Sequence, residues 1–498
     1  MLLSRKFSNQ SYRHLNWAVA IILVFLLANC SDKKHESTVA PMTDLGPTAV
    51  VSDLRVAAVK ADRITISWTA PATNGKELGY QIRYSEDSLT DANWFDGTVC
   101  LYVPPMEDSG VTQSYDVTGL PAGKLSYIAI RIQNSRGVLG PVSKNVSGTV
   151  PSLLTKPASY SIAGSDITAS DLDSDGDMDI VIINGGLPRE NLHTLLNDGS
   201  GTFVESQTFS ITGELEVVRT ADFNNDGFND IATLSTSSFL VLTNDGTGLF
   251  AVTDSQYIGH MGYVMQAGDF NGDGFADITV GTYFYGGKFG PSTGRLIIYF
   301  NDEAGGFEDT VTVNTIVGVD GICVFDADDD GDLDIAGTYE DVSSITLQYN
   351  DGTGRNWDHR QSVGPGHHTS CVTPGDLNSD GKLDLIGNIT YEGKILTAIR
   401  TDAGGYRPNI STPGAGGGGD IQLGDFDGDG YLDAARGTSV LTLHLNDGEG
   451  GFSGAARYET GTDERMKALT VADFDGDGHS DVAMLETSGK LMIFLSLL

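Results

Sequence analysis

Between Asp171 and Asp481 a nine-residue acidic pattern occurs seven times, as in "DFDGDGYLD" from Asp425 to Asp433. First aspartates of successive copies are separated by 51, 47, 57, 50, 49 and 48 residues. Self-similarity at a period near 50, with short alternating segments between turns, constrains the chain more than any other feature. It predicts a β-propeller, in which each repeat is one sheet that buries its faces only against its neighbours.

The copies read one another. Positions 1, 3, 5 and 9 are always Asp or Asn, the ligand chemistry a hard, oxygen-seeking cation requires. These are Asp171, Asp173, Asp175 and Asp179; Asp222, Asn224, Asp226 and Asp230; Asp269, Asn271, Asp273 and Asp277; Asp326, Asp328, Asp330 and Asp334; Asp376, Asn378, Asp380 and Asp384; Asp425, Asp427, Asp429 and Asp433; and Asp473, Asp475, Asp477 and Asp481. Position 6 is always glycine, as a sharp turn of positive φ demands. Position 7 is free to be Asp, Phe, Lys, Tyr or His, consistent with a ligand supplied by its backbone carbonyl. The pattern is the first half of an EF-hand-like loop without the glutamate at position 12, followed by strand rather than helix. Ca²⁺ is the expected cofactor, about one per repeat and up to seven; Mg²⁺, which keeps its waters and a tight octahedron, fits less well. Seven Ca²⁺ would move the formal charge from -37 to about -23. That acidity also argues against a nucleic-acid partner.

A second element follows six of the loops: "NDGSGTF" from Asn197, "NDGTGLF" from Asn244, "NDEAGGF" from Asn301, "NDGTGRNW" from Asn350, "TDAGGY" from Thr401 and "NDGEGGF" from Asn446. Asn-Asp-Gly with a further glycine is a hairpin signal. Each repeat therefore reads strand A, acidic loop, strand B, variable loop, strand C, glycine turn and strand D. The seventh copy ends at Leu498 before its turn, and "YSIAG" from Tyr160 parallels "FSITG" from Phe209, so residues near 154–164 are expected to supply the missing strand and close the ring. These repeats resemble the FG-GAP-like and VCBS calcium-binding blades also seen in integrin α chains, over about 345 residues. The resemblance implies a seven-bladed propeller over 154–498 with structural calcium on one face.

Residues 48–150 alternate in strand fashion between turn signals. "RITISWTAP" sets Ile64, Ile66 and Trp68 on one face, "GYQIRYSED" sets Tyr80, Ile82 and Tyr84, and Ile128, Ile130 and Ile132 follow. The stretch resembles a fibronectin type III domain, with Ser126 where that family places a corner tyrosine, and such a domain is expected to act as a spacer. The fold class is thus all-β, a sandwich followed by a seven-bladed propeller.

Ahead of it, Arg5, Lys6 and Arg13 precede the apolar run "WAVAIILVFLLA", too short for a membrane span. Residues 1–30 read as a signal peptide whose "LLANC" resembles a bacterial lipoprotein box with Cys30 as the lipidated residue, and 31–47 read as a flexible tether. The expected location is the bacterial cell envelope, lipid-anchored to a membrane. Of the other cysteines, Cys323 and Cys371 precede equivalent loops with the same strand parity and could face each other across neighbouring repeats.

Function is expected on the face carrying the variable loops, since recognition sits on variable segments of a rigid frame. Candidate contacts are Tyr283, Phe284, Tyr285 and Phe289 in the longest such loop, with His260, His367 and His368 nearby. The leading expectation is an exported adhesion or binding protein with a protein or glycan partner. A calcium-dependent lectin and, less favoured, a polysaccharide lyase or hydrolase are the alternatives. No Ser-His-Asp or Cys-His order, zinc motif or phosphate loop is present to support catalysis.

Overall fold

The computed structural model describes residues 49–498 apart from 73–76, 186–190, 285–292, 304, 315–318, 340–341, 358, 365–368, 390–392, 413–418, 438–439 and 461–464. Cys30 and the segments 1–30 and 31–47 lie outside the described residues, as do Tyr285, Phe289, His367 and His368.

The propeller is built of seven sheets, each with four antiparallel strands of its own. In the first blade the strands are Asp166–Ser170, Asp179–Ile183, Leu192–Asn197 and Phe203–Phe209, strands A to D from the axis outward. Composition follows radius. The B strands "DIVII", "DIATLS" and "DVAMLE" are buried at every residue, because a neighbouring blade covers each face. The D strands face solvent along most of their length, and "FVESQTF" is buried only at Phe203. The A strands of successive blades adjoin one another around the axis, and Met466–Ala472 of the last blade returns to Asp166–Ser170 of the first.

The last blade holds Met466–Ala472, Asp481–Glu486 and Lys490–Phe494 from the C-terminus, and its fourth strand is Ala158–Tyr160, with Leu491 opposite Tyr160 and Ile493 opposite Ala158. Pairing the two ends of the repeat in one sheet removes the open edges a string of blades would otherwise carry.

The first domain is a sandwich of a three-stranded and a four-stranded sheet. Ile64, Ile66, Trp68, Tyr80, Ile82, Ile128, Ile130 and Ile132 meet in its core, with Trp68 edge-on to Tyr80 at 5.1 Å. Ser126 points inward in register with the three isoleucines. This domain is joined to the propeller by a sheet. Leu120–Pro121 pairs in parallel with Ala456–Arg457, the outermost strand of blade six, making that blade five-stranded. The amides of Gly119 and Ala122 donate to the carbonyls of Ala455 and Arg457, each at 2.8 Å. Arg63 donates to Ser453 Oγ at 2.5 Å, Lys124 pairs with Glu459 at 2.6 Å, and the Leu153 amide donates to Tyr458 Oη. Gly454 lies so close to the sandwich that a Cβ there would collide with the Asp62 carboxylate. Blade six thereby covers its edge strand with a second domain.

Candidate metal centres and the opposite face

Each acidic loop joins strand A to strand B at the same end of the propeller, and its backbone is held by its own carboxylates. The position 1 aspartate accepts from the amide of the position 6 glycine in all seven copies, as when Gly274 donates to Asp269 Oδ2 at 2.8 Å. Position 5 accepts from the position 7 amide, as in Tyr431 to Asp429 Oδ1 at 2.9 Å. Positive φ falls not only on the position 6 glycine but also on position 4: Ser174, Asn225, Gly272, Asp329, Ser379, Gly428 and Gly476 all lie between 56° and 74°. Four of these carry a side chain in a conformation that costs about 1–2 kcal/mol. The signal that marks it in sequence is weak: Ser, Asn, Asp and Gly are the only residues that position uses.

Position 9 has a role the pattern alone does not reveal. All seven of its aspartates are essentially fully buried. One oxygen accepts from the position 2 amide of the same loop, as Phe426 to Asp433 Oδ2 at 3.0 Å. The other accepts from the amide at the end of strand C, as Asn446 to Asp433 Oδ1 at 2.8 Å. Burial pushes these carboxyls up, to about 6 for Asp179, Asp230, Asp384 and Asp481, about 7 for Asp277 and Asp334, and about 8 for Asp433. At position 3, burial and then the neighbouring carboxylates raise Asp173, Asp328, Asp427 and Asp475.

In four loops three carboxylates converge, with ligand oxygens within 4.8 Å of one another: Asp171, Asp173 and Asp179; Asp326, Asp328 and Asp334; Asp425, Asp427 and Asp429; Asp473, Asp475 and Asp481. These are the four copies with aspartate at position 3. In the other three the position 3 asparagine donates its amide to the position 5 aspartate, as Asn271 to Asp273 at 2.8 Å. The donor set fits a hard cation: it is all oxygen, it is crowded with like charge, and Asp173 Oδ1 is buried with no hydrogen-bond donor.

The glycine turn lies beside the loop and ties blade to blade. Asn244 Nδ2 donates to the Leu172 carbonyl of the preceding blade at 2.7 Å and to the Asn229 carbonyl of its own at 3.0 Å. Asn197, Asn301, Asn350 and Asn446 repeat this, and Asn197 reaches Phe474 to close the ring. The turn's aromatic packs on the preceding loop's position 2, as Phe203 on Phe474 at 5.4 Å and Phe270 against Trp357 at 6.0 Å. Blade five departs from the sequence reading by one residue. Arg400, not Thr401, occupies the asparagine position, since its amide is the one that donates to Asp384. Its guanidinium instead pairs with Asp329 of the preceding loop at 2.6 Å, and Tyr406 Oη takes over both carbonyls, Ala327 at 3.4 Å and Leu383 at 3.3 Å.

At the opposite end a funnel of about 720 Å³ opens along the axis, lined by the A strands. Asp166, Glu216, Asp320 and Asp420 face Arg219 and Lys467 across it, and Arg219 pairs with Asp166 at 3.0 Å. Cys323 and Cys371 line the same funnel as free thiols, pushed up by burial. At the rim Tyr257, Met261 and Tyr263 are exposed, with His260 also exposed between them. Tyr283 and Phe284 close strand Asp277–Phe284, with Tyr283 paired to Met261 across the sheet.

Comparison with known families matches the FG-GAP-like repeat model to residues 171–233, 222–280, 326–387 and 434–484, and the fibronectin type III domain model to residues 49–149. Among solved structures, the chain is similar to one titled for the specific recognition of non-reducing terminal N-acetylglucosamine by a lectin of Agrocybe aegerita. The two are 19% identical with a TM-score of 0.44, covering 68% of this chain and 88% of that one. Comparison with curated proteins gives no match.

Proposed function

From a chain that carries FG-GAP-like repeats behind an N-terminal fibronectin type III domain, we propose an exported, lipid-anchored binding protein whose propeller is stiffened by calcium on one face and recognises a protein or glycan on the other. The supporting observation is the contrast between the two faces. One repeats the same carboxylate loop and the same inter-blade tie nearly sevenfold, whereas the other opens a funnel whose lining differs at every blade.

In this reading the aspartates and asparagines at positions 1, 3, 5 and 9 hold about one Ca²⁺ per blade, which supplies positive charge where up to four carboxylates crowd. The bound ion stabilises the native state by mass action, since the unfolded chain has no such site. Binding falls to the funnel rim around Tyr257, His260, Met261 and Tyr263, with Tyr283, Phe284, Tyr285, Phe289, His367 and His368 as further candidates. Cys30 carries the lipid in the cell envelope.

Metal analysis of the purified protein is expected to find between four and seven calcium ions per chain, and their removal to lower the melting temperature by more than 10 °C. Fewer than one ion, or an unchanged melting temperature, refutes the calcium reading. Labelling with a fatty-acid analogue, lost on Cys30→Ala, tests the anchor. A pull-down with and without Met261→Ala/Tyr263→Ala tests the binding face.

A further inference from the structure

The seam between the sandwich and blade six holds a cleft of about 440 Å³, well inside the range of small-molecule sites. Its walls are Tyr84, Tyr102 and Tyr115, hydroxyls from Thr98, Ser114 and Thr118, and Thr412 and Ser453 from the propeller. Because a parallel strand pairing fixes the two domains, the walls are set before any ligand arrives.

Tyr102 stands out on two counts. It sits at φ 57°, in the left-handed region that a bulky side chain rarely adopts. The residue is also 63% exposed, beside Leu101 at 55% and Val99 at 41%. The chain entering Tyr102 is held at two successive residues. The Cys100 amide is held by the Ile82 carbonyl at 2.9 Å, and the Leu101 carbonyl accepts from Tyr115 Oη at 2.6 Å. A backbone held in an unfavourable conformation to display an aromatic ring to solvent is the kind of outlier that accompanies a binding site.

The chemistry of the walls selects the ligand. An exposed phenol face suits the C–H face of a pyranose, and the surrounding hydroxyls suit its rim. Asp116 is the one charged side chain among the described lining residues, and it pairs at 3.4 Å with Arg63, whose guanidinium also donates to Ser453 Oγ and whose side chain is 14% exposed. The described lining residues offer no basic side chain to pair with a sugar carboxylate or sulfate, so a neutral sugar matches these walls better than an anionic one. We propose that this cleft is a binding site for a neutral saccharide, with Tyr102 as the stacking platform, separate from the funnel and independent of what the funnel binds.

The test is a glycan array on the full-length protein with calcium, followed by calorimetric titration of the best neutral oligosaccharide into wild type, Tyr102→Gly, Thr412→Trp and Met261→Ala/Tyr263→Ala. Support requires binding at least tenfold weaker in Tyr102→Gly and Thr412→Trp and within twofold of wild type in the funnel variant. Tyr102→Gly should keep or raise the melting temperature, because glycine relieves the strain, which separates lost recognition from lost folding. An array blank for neutral glycans, preference for acidic ones, or affinity that survives both cleft variants overturns the proposal. So does affinity lost only in the funnel variant.

Discussion

At the residue scale, the acidic loop divides its labour by depth. Positions 1 and 5 spend oxygens on the loop's own amides, while position 9 is buried and pinned between the loop and strand C. That burial gives a pH dependence with a definite sign. In metal-free protein the position 9 carboxyls titrate near 6 to 8 when folded, against an ordinary 3.8. Folding therefore favours their protonated form. The stabilisation from holding that proton is fully present below about pH 4 and is lost as pH rises through 6 to 8. Dialysed, metal-free protein should thus melt higher at pH 5 than at pH 8, and the increment restored by calcium should grow with pH; a metal-free melting temperature highest at pH 8 contradicts this. Position 4 supplies a second check. Gly272 has positive φ, and a Cβ added there would meet no atom within 4 Å, so Gly272→Val tests backbone strain alone. It should cost about 1–2 kcal/mol in denaturant melts, whereas Ser379→Gly should cost nothing or gain up to about 1 kcal/mol. The oxygen-bearing positions are legible in sequence because seven copies vary around them. The double duty of position 9 is not, because a ligand and a buried anchor demand the same residue.

At the scale of the element, side chains at the glycine turns tie blade to blade. Asn244→Ala removes three hydrogen bonds and leaves the buried Leu172 carbonyl without its donor, so a loss of about 1–3 kcal/mol is expected in equilibrium unfolding. Tyr406→Phe, whose bonds are longer, should lose about 0.5–1.5 kcal/mol. Equal and negligible losses would show the ties to be decorative. Blade five shows how a repeat can mislead. "TDAGGY" aligns on Thr401 because its Thr-Asp resembles the Asn-Asp of the others, yet in the folded hairpin the asparagine position falls one residue earlier, on Arg400. Two long side chains there do the work of one asparagine, and composition alone cannot expose such an exchange. The sandwich is readable from its alternation, but its docking on blade six is not, since Leu120–Pro121 pairs with a strand 336 residues away.

For the whole molecule, the ring is held by the two ends of the repeat region, and its completion depends on residues ahead of the first acidic loop. A variant starting at residue 165 lacks Ala158–Tyr160 and exposes Lys490–Phe494 as a bare edge, so it should aggregate or dimerise in sedimentation experiments. A variant starting at residue 48 should remain as dispersed as the full chain. If the shorter variant stays monomeric and melts like wild type, the closing strand is dispensable.

That closing strand also has a mechanical meaning. Only eight residues separate the end of the sandwich strand Val146–Thr149 from Ala158, so a pull on the chain from the N-terminal side would run directly into the strand that seals blade seven and tend to peel it away. The clasp at blade six lies upstream of that point. Leu120–Pro121 on Ala456–Arg457, the Lys124 to Glu459 pair and the Leu153 amide on Tyr458 all bear on blade six before tension reaches Ala158. The parallel pairing spreads that load along a blade whose other strands are locked in the ring. Under a pull from the N-terminal side the clasp is thus a strain relief, placed so that the seam of the ring is the last joint to feel the force.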